Sequence, residues 1–241
     1  MKKSIVLATA VASILTSGVA AAELSANAAI TSNYIWRGVS QTENQAAGQG
    51  GIDWGFGPGF YVGTWVSNVD FTAVEGQKGY EMDVYAGWGG ETSGGGFGWD
   101  LGVITYQYPM EPQINFTEVY GSGTFSIVTI GLAYTVDAAS ANDVPNPTGG
   151  FDSGDMYLNG SLDFGVGKTD MSIYAGTYMF DNDASGNEID YSHFGASIGK
   201  DGFTFAVDKN DIGTAAENPF FGGDTADNVR FTASYSVDFE L

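Results

Sequence analysis

The chain has 241 residues and no cysteine. It has 36 glycines, 13 tyrosines, 16 phenylalanines and 5 tryptophans, and sets 8 Lys plus Arg against 29 Asp plus Glu. No disulfide or cysteine-based zinc site can form. A net charge of −21 argues against nucleic acid as a partner, because neutralising phosphates needs clustered Lys and Arg. A single histidine, His193, excludes most histidine-rich metal sites, and the aromatic content excludes the disordered acidic class.

In chain order, the first segment reads as an address. Lys2 and Lys3 form a basic start, Ile5 to Leu15 a short apolar run, and Ala20-Ala21-Ala22 a small-residue cleavage pattern. The apolar run is shorter than the ~20 residues that span a bilayer as a helix. Residues 1–22 are therefore expected to be a cleaved secretory signal peptide, and 23–241 a single domain.

From there the pattern is strand after strand. Phe231, Ala233, Tyr235, Val237, Phe239 and Leu241 share one face, and Thr232, Ser234, Ser236, Asp238 and Glu240 the other. Such period-two alternation is a strand signal. The same grammar runs through 80–89, 97–103 and 156–164. Glycine is too dense for helices. Twelve strands are predicted, at about 26–38, 48–56, 59–69, 79–89, 97–108, 116–124, 126–136, 155–164, 169–180, 188–199, 202–208 and 228–240. Tight turns such as Gly57-Pro58-Gly59 and Lys200-Asp201-Gly202 alternate with longer connections such as 39–47, 70–78, 137–154 and 209–227. The stretch 89–96 is the one exception.

Alternating short turns and long loops, with an even strand count, build an antiparallel up-and-down transmembrane β-barrel of the outer membrane. Both termini then lie on the short-turn, periplasmic side. Aromatics near strand ends (Trp36, Trp54, Trp88, Trp99, Tyr108 and Phe239) suit interfacial girdles. A soluble β-sandwich or lipocalin-like barrel shares the local alternation, with the apolar face turned in rather than out.

Ser25-Ala26-Asn27 followed by Ile30-Thr31-Ser32-Asn33-Tyr34-Ile35-Trp36-Arg37-Gly38-Val39-Ser40-Gln41-Thr42 resembles the N-terminal signature of the TorF-type porins, proteobacterial outer-membrane proteins of mostly unassigned function. The resemblance continues through Gly50 to Trp54, Gly59 to Phe71 and Glu81 to Trp88, and becomes diffuse afterwards. The terminal Leu241 departs from the usual phenylalanine. The resemblance implies a porin in the outer membrane and names no substrate.

In such a barrel the polar face lines the lumen. That places Asn27, Asn33 and Arg37 inward on the first strand, then Asp53, Glu81, Asp83, Asp100, Asn159, Asp163, Arg230 and Asp238. Of these, Arg37, Asp53, Glu81, Asp83, Asp100, Asp163 and Arg230 are the candidate pore-lining residues. Gly63, Gly87 and Gly102 share these faces and are expected to leave room. Twelve strands fall between filled eight-stranded barrels and open porins of sixteen or more. Acidic linings favour cations. The expected function is passive diffusion of small solutes or ions through a narrow, cation-preferring channel, without cofactor or catalysis. A closed structural or adhesive barrel is the rival, and an outer-membrane lipid hydrolase a more distant one. Arg37 reads either as a constriction residue or, more simply, as a cation paired with lumen carboxylates. The expected surroundings are outer-membrane lipid and lipopolysaccharide, and the apolar face is compatible with a homo-oligomer.

Other motifs are weak. Ser192 and His193 are consecutive, so a strand points them to opposite faces, and no Gly-x-Ser-x-Gly elbow is present. Glu81 with Asp83 reads as lumen polarity rather than as an acid–base pair. Gly165-Val166-Gly167-Lys168-Thr169 lacks the earlier glycine of a phosphate loop. Asp181-Asn182-Asp183-Ala184-Ser185-Gly186 matches half a calcium loop, but Ser192 stands where the bidentate Glu is required. The acidic loops 137–154 and 209–227 suit either solvated surface or divalent-ion bridges to lipopolysaccharide.

Overall fold

The computed structural model describes residues 23–70, 78–139, 150–181, 189–213 and 226–241. The expected signal peptide, most of the longer connections and the half calcium loop after Asp181 lie outside the described residues.

Fourteen strands are present among the described residues. They are β1 (Glu23–Thr31), β2 (Ile35–Trp36), β3 (Val39–Ser40), β4 (Ala47–Phe56), β5 (Phe60–Val69), β6 (Gly79–Glu91), β7 (Gly98–Gln107), β8 (Phe116–Phe125), β9 (Val128–Ala138), β10 (Met156–Val166), β11 (Thr169–Met179), β12 (Tyr191–Lys200), β13 (Phe203–Asn210) and β14 (Arg230–Glu240). Twelve of them form one closed antiparallel barrel, and β2 and β3 form a separate two-stranded hairpin. Closure is made by β1, which pairs with β4 on one side and β14 on the other. The barrel therefore has no free edge, the condition under which strands can cross a bilayer.

Turn chemistry sets the registers. Asp201 and Gly202 both take positive φ, 52° and 85°, between Lys200 and Phe203, which pair directly. This is the primed two-residue turn whose twist matches antiparallel strands. The exception at 89–96 resolves as strand pairing: β6 runs on to Glu91, opposite Gly98, so the turn is short.

The two faces are inverted relative to a soluble protein. Phe231, Phe194, Leu158, Leu132, Ile173 and Val84 are exposed on the outside, Phe231 at 78 %. Asp53, Glu81, Asp83, Glu118, Asp208 and Arg230 are buried inside. A sandwich would have the opposite arrangement. At the short-turn end, the rings of Trp54, Phe56, Phe60, Trp88 and Trp99 follow one another at centroid spacings of 5.0, 6.0, 5.6 and 4.5 Å. Such an arc suits a membrane interface.

Three expectations are corrected. The first strand ends at Thr31, not near 38, so Asn33 and Arg37 belong to the connection after it. Trp36 and Tyr108 are not girdle residues: both are buried inside the barrel. The inward glycines do not leave room. A β-carbon on Gly63 would collide with the Tyr85 ring, one on Gly87 with Tyr61, and one on Gly102 with Tyr120. Each tyrosine ring covers a glycine of a neighbouring strand, and the space beside that glycine is filled.

Candidate functional site: a loop folded into the lumen

The connection between β1 and β4, residues 32–46, turns inward. Its hairpin pairs Ile35 with Ser40 and Trp36 with Val39. Arg37 and Gly38 form the tip with φ of 47° and 81°, again a primed turn. The Asn33 carboxamide oxygen accepts the Ser40 hydroxyl at 2.7 Å, and the Asn33 amide donates to Asn44 Oδ1 at 3.0 Å. Thr42 is fully buried; its hydroxyl accepts the Tyr34 N–H at 3.2 Å and donates to the Gln45 carbonyl at 2.6 Å. These polar residues satisfy the loop backbone, so that it can leave water without orphaned groups.

The tip reaches across the barrel. Arg37 Nη1 and Nη2 donate to Glu118 Oε1 and Oε2 of β8 at 2.8 and 2.6 Å. The guanidinium also sits 4.3 Å from the Trp36 ring centre, 4.2 Å from that of Tyr157 on β10 and 5.1 Å from that of Tyr178 on β11. Burial works against its charge, and the Glu118 carboxylate together with the neighbouring tyrosines favours it, so that the balance lifts the Arg37 pKa above its ordinary value. A planar fork with aromatic stacking is the role for which arginine is suited and lysine is not. On the opposite wall, Asn210 Nδ2 of β13 donates to the Gly38 carbonyl at 2.7 Å. Gly38 packs on His193 of β12, where any β-carbon would collide. The Trp36 ring meets Tyr106, Phe116, Phe151 and Tyr178 at 5.8 to 6.1 Å.

A backbone irregularity supports this arrangement. Between β8 and β9 the register slips at Thr117/Glu118, leaving Val136 without a partner. Bulges re-aim side chains, and this one flanks the carboxylate that holds Arg37.

The remaining candidate pore-lining residues divide into two levels. Nearer the short turns, Asp53 accepts the Tyr85 hydroxyl, and Asp100 accepts Tyr61 at 2.8 Å. Asp163 accepts Ser161 and Ser172 at 2.5 and 2.7 Å. Beside the loop, Glu81 accepts the Tyr34 hydroxyl at 3.0 Å, with Asp83 two residues along β6. Arg230 donates to Asn44 Oδ1 and the Ala226 carbonyl, at the loop's far end. None of these joins the Arg37–Glu118 pair. Glu118, Tyr157, Tyr178, Asn210 and Asp208 were missed from the sequence. Only alternation along 116–124 pointed to Glu118, and nothing local marked it apart from other inward acids.

His193 Nε2 shares a 2.7 Å hydrogen bond with the Tyr157 hydroxyl. Ser192 points the other way and meets Thr177 at 3.0 Å. At the outer end of the barrel, just before β10, Asp155 receives the N–H groups of Asp152 and Asp181, both at 2.9 Å. Burial pushes its carboxyl up to about 7 despite those two donors.

The chain is a closed twelve-stranded antiparallel barrel with an apolar exterior and an interior of buried acids and aromatics, the class of fold that outer-membrane porins share. Over residues 16–239 the chain belongs to the family described as bacterial protein of unknown function (Gcw_chp). Its fold is similar to that of the KdgM porin, with a TM-score of 0.51, 9% identity, and coverage of 91% of this chain and 99% of that one. A membrane protein from work on in-meso crystallisation is similar at TM-score 0.51, 7% identity, and coverage of 91% and 84%. The KdgM porin in complex with disordered oligogalacturonate gives 0.48, 10%, 91% and 99%. No curated protein matches the chain.

Proposed function

We propose that the protein is a porin-like channel of the outer membrane, exported through the leader at 1–22, which passes small solutes or ions by passive diffusion with a preference for cations. The carrying observation is the sign of the inner wall. Asp53, Glu81, Asp83, Glu118 and Asp208 are buried inside, Asp100 and Asp163 bond to inward Tyr61 and Ser172, and the buried Arg37 guanidinium is neutralised by Glu118. An acidic inner wall favours cations over anions along a channel. The loop at 32–46 is the constriction. The TorF-type resemblance of its sequence supports this reading, as does the porin class of the fold. The surrounding partners are membrane lipid and lipopolysaccharide, and no catalytic role is assigned.

A second reading is a closed structural barrel, favoured by the depth at which Trp36 and Arg37 pack. Single-channel conductance of the refolded chain in a planar bilayer, under a salt gradient, separates the two. Discrete cation-preferring steps support the channel. Anion preference overturns the selectivity and moves attention to Arg230. Absence of steps from a folded barrel leaves the closed reading.

A further inference from the structure

Glu81 and Asp83 are both 1 % exposed, side by side on the inner face of β6. One Glu81 oxygen receives the Tyr34 hydroxyl. Tyr108, also buried, offers Glu81 a second phenol. The two carboxyls lie within reach of each other, and among the described residues no group outside the pair bonds the other Glu81 oxygen or either Asp83 oxygen. Arg37 is committed to Glu118 through both terminal nitrogens, and among the described residues no lysine or arginine pairs with either β6 carboxylate.

Such an arrangement is costly as it stands. A buried carboxylate without donors or a counter-charge is disfavoured by several kcal/mol, and here two adjoin. A proton shared by the pair removes part of the cost, and a cation between them removes it with both carboxylates ionised. The donor atoms are all hard oxygens, carboxylate and phenol, and the charge to be offset is two. That is the ligand chemistry of calcium-type ions rather than of zinc or copper, which favour nitrogen and sulfur.

We propose that Glu81 and Asp83, with the phenol oxygens of Tyr34 and Tyr108, bind a divalent cation of the calcium type in the barrel wall. Tyr34 belongs to the inward loop and Glu81 to the wall, so the ion ties one to the other. Occupancy therefore holds the loop in place. The site needs a folded barrel and does not depend on solute passage.

The test uses the full refolded chain and terbium as the calcium probe, read by luminescence sensitised through Tyr34, Tyr108 and Trp65, whose ring lies 5.4 Å from that of Tyr34. Folding is checked by heat-modifiable mobility. The expected result is a saturable terbium signal displaced by calcium, with that component lost in Asp83→Asn and in Glu81→Gln. Signal from acidic outer loops persists in all three proteins. Calcium also raises the unfolding midpoint of the native chain over that in chelator, and does not do so in the variants. Identical titrations of native and variant chains overturn the proposal. A native midpoint that ignores calcium and chelator but rises on acidification also overturns it, because the carboxylates then share only a proton. The native-chain comparison stands even where a variant fails to fold. Conductance without calcium binding removes this site and leaves the channel.

Discussion

Arg37 and Glu118, 81 residues apart in sequence, meet through two parallel hydrogen bonds of 2.8 and 2.6 Å inside the barrel. One residue comes from a loop tip and the other from a strand wall, so the pair fixes where the loop sits. Leaving either partner alone strands a buried charge, which typically costs about 3–5 kcal/mol. Arg37→Ala is expected to release the loop tip, lower the unfolding temperature and enlarge the conductance step. Arg37→Lys keeps the charge but loses the fork and the stacking on Tyr157, so an intermediate effect is expected. Unchanged conductance in Arg37→Ala would show that the loop does not limit passage.

Gly38 is the second point of control. Its φ of 81° is available to glycine at no steric cost, and His193 occupies the place of a side chain. Gly38→Ala is expected to destabilise the loop by roughly 1–3 kcal/mol. Limited proteolysis within 32–46 reads this directly, with faster cleavage in the variant. His193→Gly in the same background should restore part of the protection by removing the collision.

The tyrosine-over-glycine contacts make a third prediction. Gly63→Ala drives a methyl into the Tyr85 ring and the Asp53 carboxylate, which Tyr85 holds. Overpacking of this kind costs typically 1–3 kcal/mol. Unfolding in urea from lipid vesicles should show it, and the pair Gly63→Ala with Tyr85→Ala should lose less than the sum of the single changes.

Asp155 gives a pH dependence with a definite sign. Its folded pKa is raised by burial from 3.8 to about 7. Its contribution to stability is therefore fully present below the ordinary carboxylate pKa and declines as pH rises through about 7. Compared with Asp155→Asn, which does not titrate, the native chain should lose relative stability between pH 5 and pH 8. The amides of Asp152 and Asp181, which bond to this carboxyl, provide the site-specific readout by hydrogen exchange. A relative gain over that range would contradict burial as the dominant cause.

The two faces of β10 test the membrane reading. Leu158 is exposed on the outer surface, and Asn159 faces in. Leu158→Arg is expected to cost about 2–4 kcal/mol if Leu158 lies near the bilayer midplane. Asn159→Asp should cost far less. Equal costs in vesicle refolding would count against a lipid-facing exterior.

Much of this architecture was legible in the residues. Alternation over 231–241 and 80–88 located strands and faces, because a side-chain period of two belongs to strands and not to helices. Turn residues such as Asp201-Gly202 marked the short side, because glycine takes positive φ at no steric cost and Asp tolerates it better than most residues. The interior was less legible. Strand-like residues at 34–40 made the inward hairpin look like an extension of β1. Its aromatic and β-branched content is the same in a lumen plug as in a wall.

Composition and periodicity by themselves thus determined a twelve-stranded closed sheet with an acidic inner face, since each depends only on neighbours along the chain. The tertiary structure decided what occupies that interior. Arg37 finds Glu118, Tyr85 covers Gly63, and Asn210 holds Gly38 only after closure brings distant strands around one axis. Contacts across a lumen join residues that no local pattern relates, and their energy comes from burial that exists only once the barrel has closed.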